Sequence, residues 1–189
     1  MERIADWFVK CFTDEAILSA IGVTLKMAFF SCLISSVLGI TAGLLLERYN
    51  FKGKKLIIRI NRTMMGMPPV VAGLVVYLLL MRRGPLGMLG WLFTVKGMIV
   101  AQTLIIVPIM TGMVHQHASG KAPAIREFCM TMGAGRRQTV WTVLREIRHD
   151  IYFCIVTAFG RSISEVGSVM LVGGNIKGKT RTMTTAISL

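Results

Sequence analysis

The chain has 189 residues, of which 53% are hydrophobic, and its mean hydropathy of +0.63 is too high for an ordinary soluble domain. Charged residues make up 16% of the sequence, below the roughly 25% typical of soluble domains, yet the net charge is +13. A basic nucleic-acid-binding protein would gather its positive charges on one folded face. Here they lie between long uncharged runs, which argues against that class.

Uncharged runs of membrane length occupy residues 27–46, 63–81 and 97–114. Each is close to the roughly 20 residues with which an α-helix crosses ~30 Å of hydrocarbon. A soluble protein of this size could bury one such helix but hardly three. A fourth candidate is long enough but carries Arg161 and Glu165. We therefore predict an all-α polytopic membrane protein with about four spans, near residues 20–46, 63–83, 97–117 and 151–174.

The positive charges predict the topology. Residues 47–62 hold six Lys/Arg against one Glu, and residues 114–150 hold six against three acids. Lysine and arginine concentrate in cytoplasmic loops. We therefore expect residues 1–19 to form an extracytoplasmic segment, with the N-terminus outside, and residues 118–150 to form a cytoplasmic loop. The N-terminal segment lacks the basic start and short apolar core of a cleavable signal peptide.

The stretch GGNIKGKT, residues 173–180, matches the phosphate-binding loop of nucleotide hydrolases. The predicted topology places it outside the cell, where almost no nucleotide is present. No aspartate follows an apolar strand to bind the magnesium ion that such a site needs. We interpret the match as a coincidence of glycine and lysine at a helix end.

The cysteines and histidines do not predict a metal site. His115 and His117 are two residues apart, and such residues do not share a helix face. The cysteines show no paired metal-ligand spacing, and we interpret them as packing residues: Cys11, Cys32, Cys129 and Cys154. We predict no catalytic residue, no metal and no cofactor.

The long cytoplasmic loop has a helix–turn–helix pattern. Ala122-Pro123 predicts a helix start that is followed by good helix formers, and Gly133 to Gly135 predict its end. A second helix is expected over residues 138–147. Such a knob could dock onto a partner, and the alternative is an ordinary basic loop held near lipid headgroups.

This loop resembles the cytoplasmic signature of ABC importer permeases, which runs Glu-Ala-Ala, three residues, Gly, nine residues, Ile-x-Leu-Pro. Glu127 and Gly133 fall on that spacing, whereas Phe128-Cys129 replace the alanines and Arg145-Glu146 replace Leu-Pro. Four flanking stretches resemble the molybdate and tungstate permeases: MPPVVAGLVVYLLL from Met67, RRGPLG from Arg82, TMGAGRR from Thr131, and GRSISEVGSVMLVGGNIKGKTRTMTTAI from Gly160. The stretches REIR, from Arg145, and ISEVG, from Ile163, resemble the tungstate permeases more than the molybdate permeases.

The resemblance implies a type I ABC importer transmembrane domain over residues 20–189, in the cytoplasmic membrane of a prokaryote. It implies a homodimer of permease subunits, two separate ATPase subunits that hydrolyse ATP, an extracytoplasmic substrate-binding protein and no nucleic acid. The cargo would be a tetrahedral oxyanion, tungstate before molybdate, with phosphate or sulfate as alternatives. Members have one more span, so we expect this chain to be C-terminally incomplete. The coupling helix of the docking loop would use Arg126, Glu127, Thr131, Gly133, Ala134, Gly135 and Arg136.

Polar residues in the spans predict a translocation path. Arg161 and Glu165 are one helical turn apart and should face the protein interior, because charges in hydrocarbon cost about 2.5–3.5 kcal/mol each. They could gate an anion path or form a structural ion pair, and both interpretations stay open. An ATP-independent transporter or channel is the alternative class, although its expected inverted halves are not evident. The predicted path residues are Pro68, Pro69, Arg161, Ser162, Ser164, Glu165 and Ser168.

Overall fold

The computed structural model of the chain describes residues 15–187, which form helices and no strand. Residues 1–14, which include Cys11 and most of the predicted extracytoplasmic segment, lie outside that range. The helices are α1 (Glu15–Arg48), α2 (Lys54–Met65), α3 (Pro69–Leu80), α4 (Val95–Thr131), α5 (Arg136–Glu146), α6 (Arg148–Ser164), α7 (Gly167–Gly173) and α8 (Met183–Ile187), with a 3-10 turn at Gly87–Leu89.

Two helices, α1 and α4, are long and apolar enough to cross a membrane on their own. The pairs α2 with α3 and α6 with α7 reach that length only as bent pairs, so residues 15–187 contain two to four spans. The predicted all-α polytopic class is confirmed. Pro68 and Pro69, two of the predicted path residues, lie at the break of the first pair, because α2 ends at Met65 and Pro69 opens α3. Proline suits a first helical position, since its missing N–H would have no intrahelical acceptor there.

The prediction of a separate helix starting at Ala122-Pro123 is wrong. Helix α4 runs without interruption from Val95 to Thr131 and contains both Pro108 and Pro123. Proline inside a helix costs about 3 kcal/mol. Here, however, Ala118 and Ala122 are completely buried against Val143 and Ile147. This packing holds the helix together across a residue that would otherwise begin a new one.

The described residues divide into two compact units. The first unit contains residues 15–32, 67–105 and 159–187. Within it α3 and α7 approach closely, because a Cβ atom at Gly73 would lie 2.6 Å from Ser168 Cα. Its apolar core includes two clusters of buried residues: Val76, Leu80, Ala101 and Val172 in one, and Met27, Met98 and Val169 in the other.

The second unit contains residues 33–66 and 106–158. Within it α1 packs on α4 through Gly39 and Gly43, where a Cβ atom at Gly43 would lie 2.9 Å from Val114 Cβ. Two glycines four residues apart let membrane helices approach through their backbones. Cys129 and Cys154 are buried in this unit, and Cys32 is buried in the first one, as the packing interpretation expects.

Candidate functional site

The turn between α4 and α5 is the predicted docking site, and it lies in the second unit. Helix α4 ends at Thr131, and Gly133 has a φ of 70°, a left-handed conformation that favours glycine. The N–H of Ala134 donates to Cys129 O (2.9 Å), which closes the end of α4. The Gly135 N–H donates to Gln138 Oε1 (2.9 Å) and starts α5. The helix end predicted at Gly133 to Gly135 is confirmed.

Arg126 points towards α1 rather than towards solvent. Its Nη1 donates to Glu47 Oε1 (2.8 Å), and its Nη2 donates to Glu47 Oε2. The Glu47 side chain is only 7% exposed and that of Arg126 28%. Two parallel charge-assisted hydrogen bonds fix the orientation of both side chains. Arg126 therefore anchors the end of α4 to the end of α1 within this unit.

The other predicted docking residues lie at the surface of the turn. Ala134 is half-buried, and five residues are exposed: Glu127, Thr131, Gly133, Gly135 and Arg136. Among them, Thr131 donates its hydroxyl to Phe128 O (2.8 Å) and so closes the last turn of α4. The exposed polar side chains at this end of α4 are thus those of Glu127, Thr131 and Arg136.

Three large apolar side chains near this turn are exposed, which the sequence analysis did not predict. Phe128 is 64% exposed, Met132 71% and Trp141 70%, although all three are large apolar side chains. Phe128 was seen only as a replacement for alanine. The sequence feature that could have revealed them is the presence of large apolar residues in a basic loop. The one buried residue of α5 is Val143, not Trp141. Aromatic side chains of this kind serve as anchors in protein interfaces.

Two cation-lined grooves adjoin the turn. One, of about 310 Å³, is lined by Arg48, Arg126 and Arg136. The other, of about 690 Å³, is lined by Arg48, Arg136, Arg137 and Trp141. The linings contain no Asp or Glu among the described residues. An acidic or apolar segment of a partner matches their chemistry.

The second candidate site is a break in the last bent pair, in the first unit. Helix α6 ends at Ser164, α7 begins at Gly167, and the two are bent by 57°. Glu165 lies in the break and is 6% exposed. Its Oε1 accepts the N–H of Gly167 (3.1 Å) and of Ser168 (3.4 Å). The carboxylate thus satisfies backbone donors that the break leaves without helical acceptors.

Arg161 is only loosely paired with Glu165. The Nη2–Oε2 distance is 3.8 Å, and the Arg161 side chain is 44% exposed. Ser164, which donates its hydroxyl to Arg161 O (3.1 Å), is exposed beside it. Arg161 and Ser164 therefore present a cation and a hydroxyl to the surroundings, whereas Glu165 is occupied inside.

Ser162 and Ser168 face the interior of the first unit. Ser162 Oγ lies 2.9 Å from Ser31 Oγ, and Ser162 O accepts from Gln102 Nε2 (2.7 Å). Gln102 was missed because it lies in an uncharged run. A polar residue in such a run is a signal of helix–helix contact. Gln102 Oε1 and Ser168 Oγ are buried and have no partner among the described residues.

The structure brings the start of α3 to the break. A Cβ atom at Gly167 would lie 2.7 Å from Val70 Cγ2, so Pro69 precedes a residue in contact with the break. Of the predicted path residues, Pro69, Glu165 and Ser168 thus belong to one neighbourhood. Arg161 and Ser164 lie on the exposed side of α6, and Ser162 lies on its buried side.

The stretch that matches a phosphate-binding loop has a different structure. Within residues 15–187 it follows a helix, since α7 ends at Gly173 and Gly174 adopts a φ of 69°. Thr180 is buried, and its hydroxyl donates to Gly173 O (2.6 Å) and accepts the N–H of Ile176 (3.0 Å). The side chain that would bind a metal ion is used to close the turn.

Comparison with known proteins gives a consistent result. The family model described as binding-protein-dependent transport system inner membrane component matches residues 35–188. The tungstate uptake system permease protein TupB of Peptoclostridium acidaminophilum is 35% identical over 194 residues, covering 100% of this chain and 85% of the relative. TupB of Campylobacter jejuni is 36% identical, covering 93% and 74%. The sulfate transport system permease protein CysW of Synechococcus elongatus is 31% identical, covering 93% and 64%.

Proposed function

We propose that this chain is the membrane-spanning subunit of an ATP-driven importer of tungstate. The chain belongs to the family of binding-protein-dependent transport system inner membrane components. The observation that carries the choice of cargo is the TupB relative, which is 35% identical over the whole of this chain. Molybdate has the same charge and tetrahedral shape and is the next candidate. Sulfate is a weaker candidate, supported by the 31% identical CysW relative.

The proposed assembly contains two copies of this chain, two ATPase subunits and an extracytoplasmic binding protein. The N-terminus lies outside the cytoplasmic membrane of a prokaryote, and residues 47–62 and 118–150 lie inside. The concentration of Lys and Arg in these two segments supports this orientation. ATP would be bound and hydrolysed by the partner.

The turn between α4 and α5 would insert into a cleft of the ATPase. Glu127 and Gly133 give it the family spacing, and the exposed side chains of Phe128, Met132 and Trp141 supply the apolar contact. Buried aromatic anchors dominate the binding energy of protein interfaces. Arg126 acts indirectly, because its pair with Glu47 fixes the helix that carries the turn.

The path for the anion would involve the break between α6 and α7. Arg161 offers an exposed positive charge, and Ser164 offers a hydroxyl next to it. Glu165 holds the break open by capping α7 while it leaves Arg161 largely unpaired. Pro68 and Pro69 begin the helix that contacts this break. Movement of the docking turn on ATP hydrolysis would change the opening of the path at the break between α6 and α7.

The test is tungsten accumulation in cells that also express the ATPase and the binding protein of the importer, measured by mass spectrometry with and without this chain. Accumulation at nanomolar tungstate that requires both this chain and the ATPase supports the proposal. Accumulation of molybdenum or sulfate instead reassigns the cargo. Accumulation that continues with an ATPase lacking its catalytic residue would mean an ATP-independent transporter and would overturn the mechanism.

A further inference from the structure

A cavity of about 350 Å³ with a mixed apolar and polar lining lies between α2 and α4 in the second unit. Its volume is several times the ~30 Å³ that one water molecule occupies in the liquid. Among the described residues, its lining contains no Asp or Glu. The polar lining consists of Asn61, Arg62, Thr111, His115, Gln116 and Ser119.

The two helices that form the cavity are fixed to each other. Asn61 Nδ2 donates to Pro108 O (3.0 Å). Gly112 lets α2 come close, since a Cβ atom there would lie 3.1 Å from Met65 Cε. On α4 the lining residues Thr111, His115 and Ser119 recur every four residues and share one face. The polar lining is therefore held on two facing helices.

The lining is rich in hydrogen-bond donors. Arg62 carries a permanent positive charge and five N–H donors, and its side chain is exposed. Ser119 Oγ lies 3.3 Å from His115 Nδ1. Gln116 and Thr111 add an amide and a hydroxyl.

We propose that this cavity is a binding site for the transported oxyanion, occupied on the cytoplasmic side as the anion leaves the permease. This inference rests on the proposed function, since it takes the cargo and the topology from it. A tetrahedral dianion accepts hydrogen bonds in all directions, and guanidinium matches its oxygens in a bidentate fork. The cavity offers one arginine and several neutral donors, and no Asp or Glu of residues 15–187 lines it.

The test is binding of tungstate to the permease–ATPase complex in phosphatidylcholine nanodiscs, without binding protein, by equilibrium dialysis and mass spectrometry. Arg62→Gln should weaken the Kd about tenfold or more, because a hydrogen bond to a charged group contributes about 1.5–3 kcal/mol. Arg59→Gln is the matched control, since Arg59 is exposed on the same helix but does not line the cavity. Gln116→Glu should also weaken binding, by placing a negative charge in the lining.

Unchanged binding in both Arg62→Gln and Gln116→Glu, or equal weakening in Arg59→Gln, would overturn the assignment. A lipid phosphate is the other source of the same chemistry, so binding is repeated in nanodiscs that contain phosphatidylglycerol. Cargo binding predicts little change, whereas strong competition by the anionic lipid would overturn the assignment to cargo. Tungsten accumulation by wild-type cells tests the proposed function separately. If accumulation is normal and both the Arg62→Gln and the Gln116→Glu complexes bind tungstate normally, only the cavity assignment fails.

Discussion

Arg126 and Glu47 form a fork-to-fork ion pair between α4 and α1, with Nη1 of Arg126 donating to Oε1 of Glu47 at 2.8 Å and Nη2 donating to Oε2. Because Glu47 is almost completely buried, it depends on this partner for its hydrogen bonds. A buried carboxylate without a partner destabilises the fold. The pair therefore determines how firmly the end of α4, and with it the docking turn, is held.

We expect Arg126→Gln to lower the free energy of unfolding of the purified permease by about 1–3 kcal/mol, because a buried group that loses its hydrogen-bond partner costs that much. Size-exclusion chromatography after heating measures the midpoint temperature of unfolding, which should fall. Arg59→Gln, which removes an exposed arginine, is the control and should leave it unchanged. In a double-mutant cycle, Glu47→Gln should have less effect in the Arg126→Gln background than in the wild type. Additive effects would show that the pair is not coupled.

Gly133 has a φ of 70°, which costs other residues roughly 1–2 kcal/mol. Gly133→Val should therefore disturb the turn and weaken co-purification with the ATPase, while membrane insertion stays normal. Asparagine tolerates the left-handed region, so Gly133→Asn should retain most of the association. Gly120→Ala is a control on α4, since a Cβ atom there meets nothing within 4 Å. Equal association of the valine and asparagine variants would argue against a conformational role.

The exposed side chain of Trp141 leads to a second prediction about docking. Trp141→Ala should weaken association with the ATPase by about 2 kcal/mol or more, a value typical of a buried aromatic anchor in an interface. Stability of the isolated permease should hardly change, because Trp141 is 70% exposed. Met88→Ala removes a fully exposed methionine from the Gly87–Leu89 turn and serves as the control. If the Trp141→Ala variant binds the ATPase with wild-type affinity, Trp141 is not part of the interface.

Arg161 and Glu165 should respond differently to substitution. Arg161→Ala should insert and fold, since its side chain is 44% exposed and 3.8 Å from Glu165, but tungstate transport should fall. Glu165→Ala should lower thermal stability by about 1 kcal/mol, the usual effect of losing a helix cap, because it removes the acceptor of two backbone N–H groups. Loss of the Arg161→Ala protein from the membrane would favour the structural ion pair instead.

The sequence was sufficient for the membrane class and for the end of α4. Uncharged runs of 18 to 20 residues are a direct consequence of hydrocarbon thickness, and Gly133 marks a backbone conformation that few other residues adopt. The prediction from Pro123 was wrong because the burial of Ala118 and Ala122 depends on Val143 and Ile147, which lie beyond the docking turn in the sequence. Local propensity cannot include such contacts.

The candidate sites were predicted only in part for the same reason. Residues four apart on α6 were expected to share a role, but the helix ends at Ser164, so Glu165 turns inwards to cap α7 while Arg161 stays exposed. The partner of Arg126 lies 79 positions away in the sequence. Such a pairing follows from helix packing and is not visible in local spacing.

The most direct test of ATP-driven oxyanion import is transport in proteoliposomes. The complex of this chain with its ATPase is reconstituted, loaded binding protein and tungstate are supplied on one side, and ATP on the other. We predict tungstate accumulation that requires ATP and binding protein and is lost when Glu127→Lys prevents docking of the ATPase. Accumulation that proceeds equally without ATP, or in the Glu127→Lys complex, would contradict the account.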